Sequence, residues 1–345
     1  MPLLLILVLQ IISHTFASPF GIQEEWSRIS DPLIMDHNYE TRFYALPLNG
    51  EVSHLQKFWS GDYWPLNKGN INYRWNASPT FNMPSPNLIQ AQSMSQQELA
   101  QLSPAEKFDL LNGRYSYPLK QEVIGISNPN AQYWEGICHG WAPAAMNHNE
   151  PTPKILKNRD GIMVPFGSSD IKGILSYYYA YPYHVPDTHQ VGRRCNENDC
   201  IPDLNAGAFH IVLTNKVGLE KIGFIADMAA NKEVWNHPIM SYNSRILNDG
   251  HGPASNSAPG TTRTVLINTT INYTNESDNN WNTVQGTRLQ HIATMKLSYL
   301  VEINMYGQII GGEWRSVKKP DFLWTMERPA RFIGTFSKLS GLLND

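Results

Sequence analysis

Cysteine is scarce in this chain: there are three in 345 residues, and an odd number leaves one without a partner. Charge is sparse too. Only 17% of residues are charged and the formal net charge is -3, which argues against a nucleic-acid partner or an anionic membrane surface. Long apolar runs are missing except at residues 3–12, a stretch too short to span a bilayer. That run and the small-residue ending Thr15-Phe16-Ala17 read as a signal peptide over residues 1–17, although no basic residue precedes the run. A buried N-terminal strand is the alternative. The mature chain is then expected to begin near Ser18 and to be secreted or extracytoplasmic. With 41% hydrophobic residues it can bury a sizeable core.

Two of the cysteines, Cys195 and Cys200, stand in RRCNENDCIPD, a polar stretch with Asn, Asp and Pro. Four intervening residues can close a tight turn, so a local disulfide is expected in an oxidising compartment. A zinc site needs further ligands, and only His184 and His189 lie nearby. Cys138 is then the unpaired thiol. It stands in YWEGICHGWAPAA, and free cysteine of this kind is either buried core or a nucleophile.

Residues 18–112 read as an N-terminal scaffold region and residues 113–345 as the catalytic core. FWSGDYWPLNKGNINYRWN is aromatic, packed loop material, and NMPSPN at 82–87 is rich in breakers. Ser103-Pro104-Ala105-Glu106 is a capping box with proline at the first helical position, and Gly113 supplies the stop. Ser169 or Asp170 is expected to cap a second helix ending before Pro182. AFHIVLTN (208–215) and IGFIADM (222–228) read as two paired strands, and residues 262–274 and 289–314 as longer strands, the latter turning at Tyr306-Gly307. Helices first and strands later define an α+β domain.

Acyl transfer by a thiol needs a base to ionise it and a group to orient the base. The candidates are Cys138, His210 and Asp227, with the imidazole on one strand and the carboxylate on the next. The order Cys, His, Asp is that of papain-like enzymes. His139 is a rival base, although adjacent side chains diverge. A helix after Cys138 would depress the thiol pKa, with Pro143 marking its start or a kink. Gln132, six residues before the thiol, is the oxyanion candidate, or else an exposed loop amide.

The blocks YWEGICHGWAPAA, AFHIVLTNKVGL and FIADMAANKEVWNHP, together with YWPLNKGNINYRWN, LSPAEKFDLL and GGEWRSVKKPDFLW, resemble the transglutaminase elicitor family of oomycete cell walls and its bacterial relatives. The resemblance covers most of residues 60–325. It implies a papain-like core with N-terminal elaborations, a triad of Cys138, His210 and Asp227, and isopeptide formation between protein glutamine and lysine side chains through a thioester. It also implies calcium, although no EF-hand spacing or acidic ligand run is present, so the metal ligands are unknown. The segment 234–238, with Trp235 and Pro238, resembles the exposed peptide through which plants detect the oomycete enzymes. It departs from that pattern after Pro238. A papain-like cysteine peptidase and a non-catalytic recognition protein are the rival readings. No nucleic-acid or membrane partner is expected.

Overall fold

A computed structural model describes residues 28–53, 58–181, 188–195, 204–254 and 256–344. The signal-peptide reading of residues 1–17, and with it His184 and Cys200, lies outside the described residues. The helices are α1 (Leu88–Ser93), α2 (Gln96–Ala100), α3 (Pro104–Leu111), α4 (Pro118–Ile126), α5 (Cys138–Asn147), α6 (Ser168–Ala180) and α7 (Ala206–Leu213). The strands are β1 (Asn49–Glu51), β2 (Lys154–Lys157), β3 (Met163–Phe166), β4 (Thr188–Gly192), β5 (Phe224–Asp227), β6 (Asn236–His251), β7 (Thr261–Thr274), β8 (Ile292–Asn304), β9 (Ile309–Trp314) and β10 (Phe322–Met326). Antiparallel pairing gives the order β4-β10-β5-β6-β7-β8-β9, with β1 beside β6 and β2-β3 as a separate ribbon. This is a mixed helix and strand architecture.

At β5 and the start of β10 the sheet is buried on both faces, and the strand alternation shows how. Ile225, Phe322 and Trp324 join a core built from α3, α5 and α6, whereas Phe224, Ala226 and Leu323 point the other way, into a core containing α7. The two helical layers are therefore separated by the sheet. Helix α5 lies so close to α6 that a Cβ on Gly140 would stand 2.0 Å from the Ser176 carbonyl oxygen, so only glycine fits there.

The capping box at Ser103 forms as expected: its hydroxyl accepts from Glu106 N, and the Glu106 side chain accepts from Ser103 N. Helix α6 starts earlier than expected. Gly167 precedes it and donates its N–H to Asp170 Oδ2 at 2.7 Å, so Asp170 is the third helical residue and not the cap. Asp170 also receives Lys107 Nζ at 2.6 Å and Trp75 Nε1 at 2.9 Å, which ties α3 and the preceding loop to the start of α6. The long strands fall where expected, and Gly307, at φ 79°, makes the turn between β8 and β9.

One element is corrected. AFHIVLTN is helix α7, continued as a π-helical segment over Thr214–Glu220, and not a strand. Asn205 caps it by accepting Gly207 N at 2.8 Å. Every residue of α7 is buried, so no polar face revealed its helical period.

Candidate active site

Cys138 is the first residue of α5 and is 4% exposed. Ile137 donates its N–H to Tyr63 O at 2.7 Å, and the amides of Gly140 and Trp141 both reach the Ile137 carbonyl. Ile137 is thus the cap residue that precedes the helix, and the Cys138 and His139 amides are among those that an α-helix leaves without an intrahelical acceptor. Pro143 lies within the helix and removes only the bond to the His139 carbonyl. Trp64, one residue after Tyr63, whose carbonyl accepts the Ile137 amide, has φ 51°, a left-handed conformation for a bulky residue.

Two segments hold the sulfur. The thiol donates to Val234 O at 3.5 Å, and Asn236 Nδ2 donates to Sγ at 3.6 Å. Trp324 Nε1 donates to Asn236 Oδ1 at 2.7 Å and so fixes which way the amide faces. Burial pushes the thiol up to about 11, outweighing the backbone and side-chain hydrogen bonds from Asn236, while the charges of Glu276 and Asp227 push the same way. The expectation of a depressed pKa is not met: burial is the largest cause and it raises the thiol. It opens onto a cavity of about 740 Å³ lined in part by Trp134, His139, Arg194, Val234 and Trp324.

Asp227 ends β5 on the face shared with Ile225, the thiol's side of the sheet. Its Oδ1 accepts from Trp235 N at 2.8 Å and Ala229 N at 3.3 Å, and its Oδ2 is buried without a hydrogen-bond partner. Burial raises its pKa to about 7 against the lowering by those two amides, with Asp321 adding to the rise. A carboxyl that titrates near neutrality suits proton transfer at physiological pH.

His210 is not with them. It lies on α7, on the opposite face of the sheet, where its Nδ1 pairs with Tyr299 Oη at 2.9 Å and its ring stacks on Phe43. Tyr299 continues to Thr269 at 2.8 Å and Thr269 to Ser244 at 2.8 Å. Burial lowers the imidazole to about 3, so it is a neutral, hydrogen-bonded core residue. The strand reading placed it beside Asp227; the helix turns it away. His210→Gln is expected to lower the melting temperature while a Cys138-dependent turnover persists within about tenfold, against the loss of two or more orders of magnitude that removing a general base brings. Parallel thermal melts and rate assays check this, and an inactive but well-folded variant contradicts it.

The remaining candidates fall as follows. His139 lines the cavity, edge-on to Tyr181, and burial lowers its pKa. Gln132 is exposed and its backbone N–H donates to Glu135 Oε2 at 2.9 Å; it does not line the thiol cavity, so the oxyanion expectation for it fails. Trp235 is half-buried against Tyr63, and Pro238 is buried in β6 opposite Ile225, so the segment resembling an exposed peptide is built into the site's own wall. Asn236 and Trp324 escaped the sequence reading. They are 88 positions apart, and no local pattern joins them.

The resemblance implies calcium, and among the described residues no group of three or more His, Cys, Asp or Glu side chains converges to hold a metal ion; calcium also takes backbone and amide carbonyl oxygens, so the ligands stay unassigned. Cys138 is the free cysteine among the described residues. Cys195 is buried, and its expected partner Cys200 lies outside the described residues. None of the described helices is long and apolar enough to cross a membrane.

The fold thus brings a helix-borne thiol, an amide that donates to its sulfur and a buried carboxyl to the same side of an antiparallel sheet. The sequence profile of the transglutaminase elicitor family matches residues 122–339, well over half of the chain, and the chain belongs to that family. Its fold is shared with the GP42 transglutaminase from Phytophthora sojae, at 22% identity and a TM-score of 0.66, covering 88% of this chain and 92% of that one. No curated protein matches the chain in sequence.

Proposed function

We propose that the chain is a secreted protein-glutamine γ-glutamyltransferase on a papain-like core, with Cys138 as nucleophile and Asp227 in the role first given to His210. The observation that carries this is the thiol at the head of α5, donating to Val234 O and receiving Asn236 Nδ2, on the same side of the sheet as a buried carboxyl with one unpartnered oxygen. The carboxylate form of Asp227 takes the thiol proton. The thiolate then attacks a glutamine carboxamide carbon, and the oxyanion meets the Cys138 and His139 amides and Asn236 Nδ2. Asp227 returns the proton to the departing ammonia, which leaves a thioester. A lysine amine attacks it, the C–S bond breaks, and the isopeptide forms.

Family membership and the shared fold support this reading, since the neighbour of known structure is a transglutaminase. Residues 18–112 act as scaffold in this proposal, and the loop with Tyr63 and Trp64 is their contribution to the site. A Cys195–Cys200 bridge and export through the N-terminal leader belong to the same reading. Calcium is given no step. Incubation with a glutamine-bearing protein and a primary-amine probe is expected to give Cys138-dependent incorporation with ammonia released and the main chain uncut. Ammonia without incorporation marks a deamidase, and new N-termini mark a peptidase.

A further inference from the structure

Phe322, Trp324 and Met326 alternate along β10, so their side chains leave the same face of the sheet, the one that packs on α5 and α6. All three line the cavity onto which Cys138 opens. The middle one is tied to the thiol: Trp324 Nε1 donates to Asn236 Oδ1 at 2.7 Å, and Asn236 Nδ2 donates to Sγ at 3.6 Å. The nucleophile is therefore held beside the midpoint of an apolar row. The two ends of the row differ. Phe322 is 9% exposed and has little surface left to offer, whereas Met326 is only half-buried and its cross-strand partner on β4, Thr188, is exposed. Tyr181, which caps α6 and is 37% exposed, adds uncovered apolar surface to the walls.

Among the described residues the cavity wall carries one guanidinium and one carboxylate, and both are engaged elsewhere. Arg194 donates to Lys232 O at 2.6 Å and lies 5.4 Å over the Trp134 ring, and Glu135 Oε2 accepts the Gln132 amide at 2.9 Å. His139 adds no charge, since burial lowers its pKa. A charged group entering here thus gains no net attraction and loses its water against rings and a thioether. At about 740 Å³ the cavity is in the range that takes a drug-sized molecule, well beyond what a glutamine side chain fills. In an extended peptide, side chains two residues apart point the same way and lie about 7 Å apart, which is also the spacing of Trp324 and Met326 along β10.

We propose that the cavity binds the acyl-donor glutamine within an extended segment lying along β10 and selects donors that carry a bulky apolar residue two positions from the glutamine, seated against Met326; this rests on the acyl-transfer function proposed above. With the carboxamide carbon at Sγ beside Asn236, the next side chain on the same face of the donor comes down on Met326. An unbranched thioether adapts to apolar partners of different shape, so the selection is for apolar bulk and not for one residue type. Binding energy from this remote contact holds the reacting carbonyl at the thiol and so enters kcat/KM.

The test uses end-blocked peptides with a saturating primary-amine probe: Gly-Gly-Gln-Gly-Gly, and versions with leucine or lysine at the first or the last position. For one of the two leucine peptides the ratio of kcat/KM to that of the all-glycine peptide is expected to be about ten, the lower end of what burying a leucine side chain is worth. Neither lysine peptide is expected to gain. The leucine ratio is expected to fall towards one in Met326→Asp and to persist in Met326→Leu, which keeps the apolar volume. A ratio near one for both leucine peptides in the unsubstituted chain overturns the assignment. So does a leucine ratio that Met326→Asp leaves intact, or a lysine peptide that matches the leucine one. If no peptide is labelled while a glutamine-bearing protein is, the extended-segment assignment fails alone; if neither is labelled, the acyl-transfer function fails first and this inference with it.

Discussion

Asp227→Asn is expected to lower turnover by roughly two to four orders of magnitude, the contribution of a positioned proton acceptor, while raising the melting temperature above neutral pH. The two effects share a cause. The folded protein holds this carboxyl at about 7, against 3.8 for the free group, chiefly because burial disfavours the charge. Between those values the folded state binds a proton that the unfolded chain has lost, so stability falls as pH rises through this window, by roughly 4 kcal/mol at most at about 1.4 kcal/mol per unit. Asparagine keeps an oxygen for the Trp235 and Ala229 amides and never ionises, so it removes that cost together with the base. Activity needs the ionised form, so the unsubstituted protein should gain kcat/KM as pH rises through about 7. Melting curves at pH 5 and pH 8 and a pH profile of amine incorporation check both halves. A variant that is inactive and also less stable at pH 8 would make Asp227 a structural residue.

The site was partly legible in the sequence, and the reason it was only partly so is physical. Cys138 and Asp227 stood out because each interrupts an apolar context with a group whose burial needs a reason. The same logic selected His210, and there it misled: an imidazole whose nitrogen meets Tyr299 Oη is satisfied in a core at no functional cost. Telling these cases apart required knowing whether residues 206–213 are helix or strand, since one choice turns His210 towards Asp227 and the other turns it across the sheet. An all-buried run carries no period with which to decide. The Asn205 cap was a usable signal. Capping by Ser103, the stop at Gly113 and the turn at Gly307 were legible because each depends on local chemistry. The clamp of Trp324 on Asn236 was not, because it arises from β10 pairing with β5 and β5 with β6.

Glu106 shows how a locally read residue acquires a second, long-range task. As the third residue of α3 it completes the Ser103 box, and the same carboxylate also receives Arg74 Nη2 at 2.6 Å, Lys120 Nζ at 2.8 Å and Ser85 Oγ at 2.7 Å. Its side chain has no exposure. Burial by itself raises the pKa, but the hydrogen bonds from Arg74, Lys120, Ser103 N and Ser85 outweigh it and bring the group to about 2. Removing the charge leaves two cations facing a neutral partner in a poorly solvated place, so Glu106→Gln is expected to destabilise the protein by roughly 3 kcal/mol. The folded pKa is depressed below the free value of 4.5, so this stability is present above about 4.5 and is lost as pH falls towards about 2. Urea midpoints of the variant should therefore fall well below those of the unsubstituted chain at pH 7, and the gap should narrow below pH 4. A gap that stays constant from pH 7 to pH 3 would assign the loss to packing and not to the charge. Helix α3 also carries Lys107, whose bond to Asp170 reaches the start of α6, the helix against which Gly140 of the thiol-bearing α5 is seated. The destabilised variant should accordingly lose amine incorporation at a lower temperature, in step with its unfolding and with no change in the pH at which activity rises.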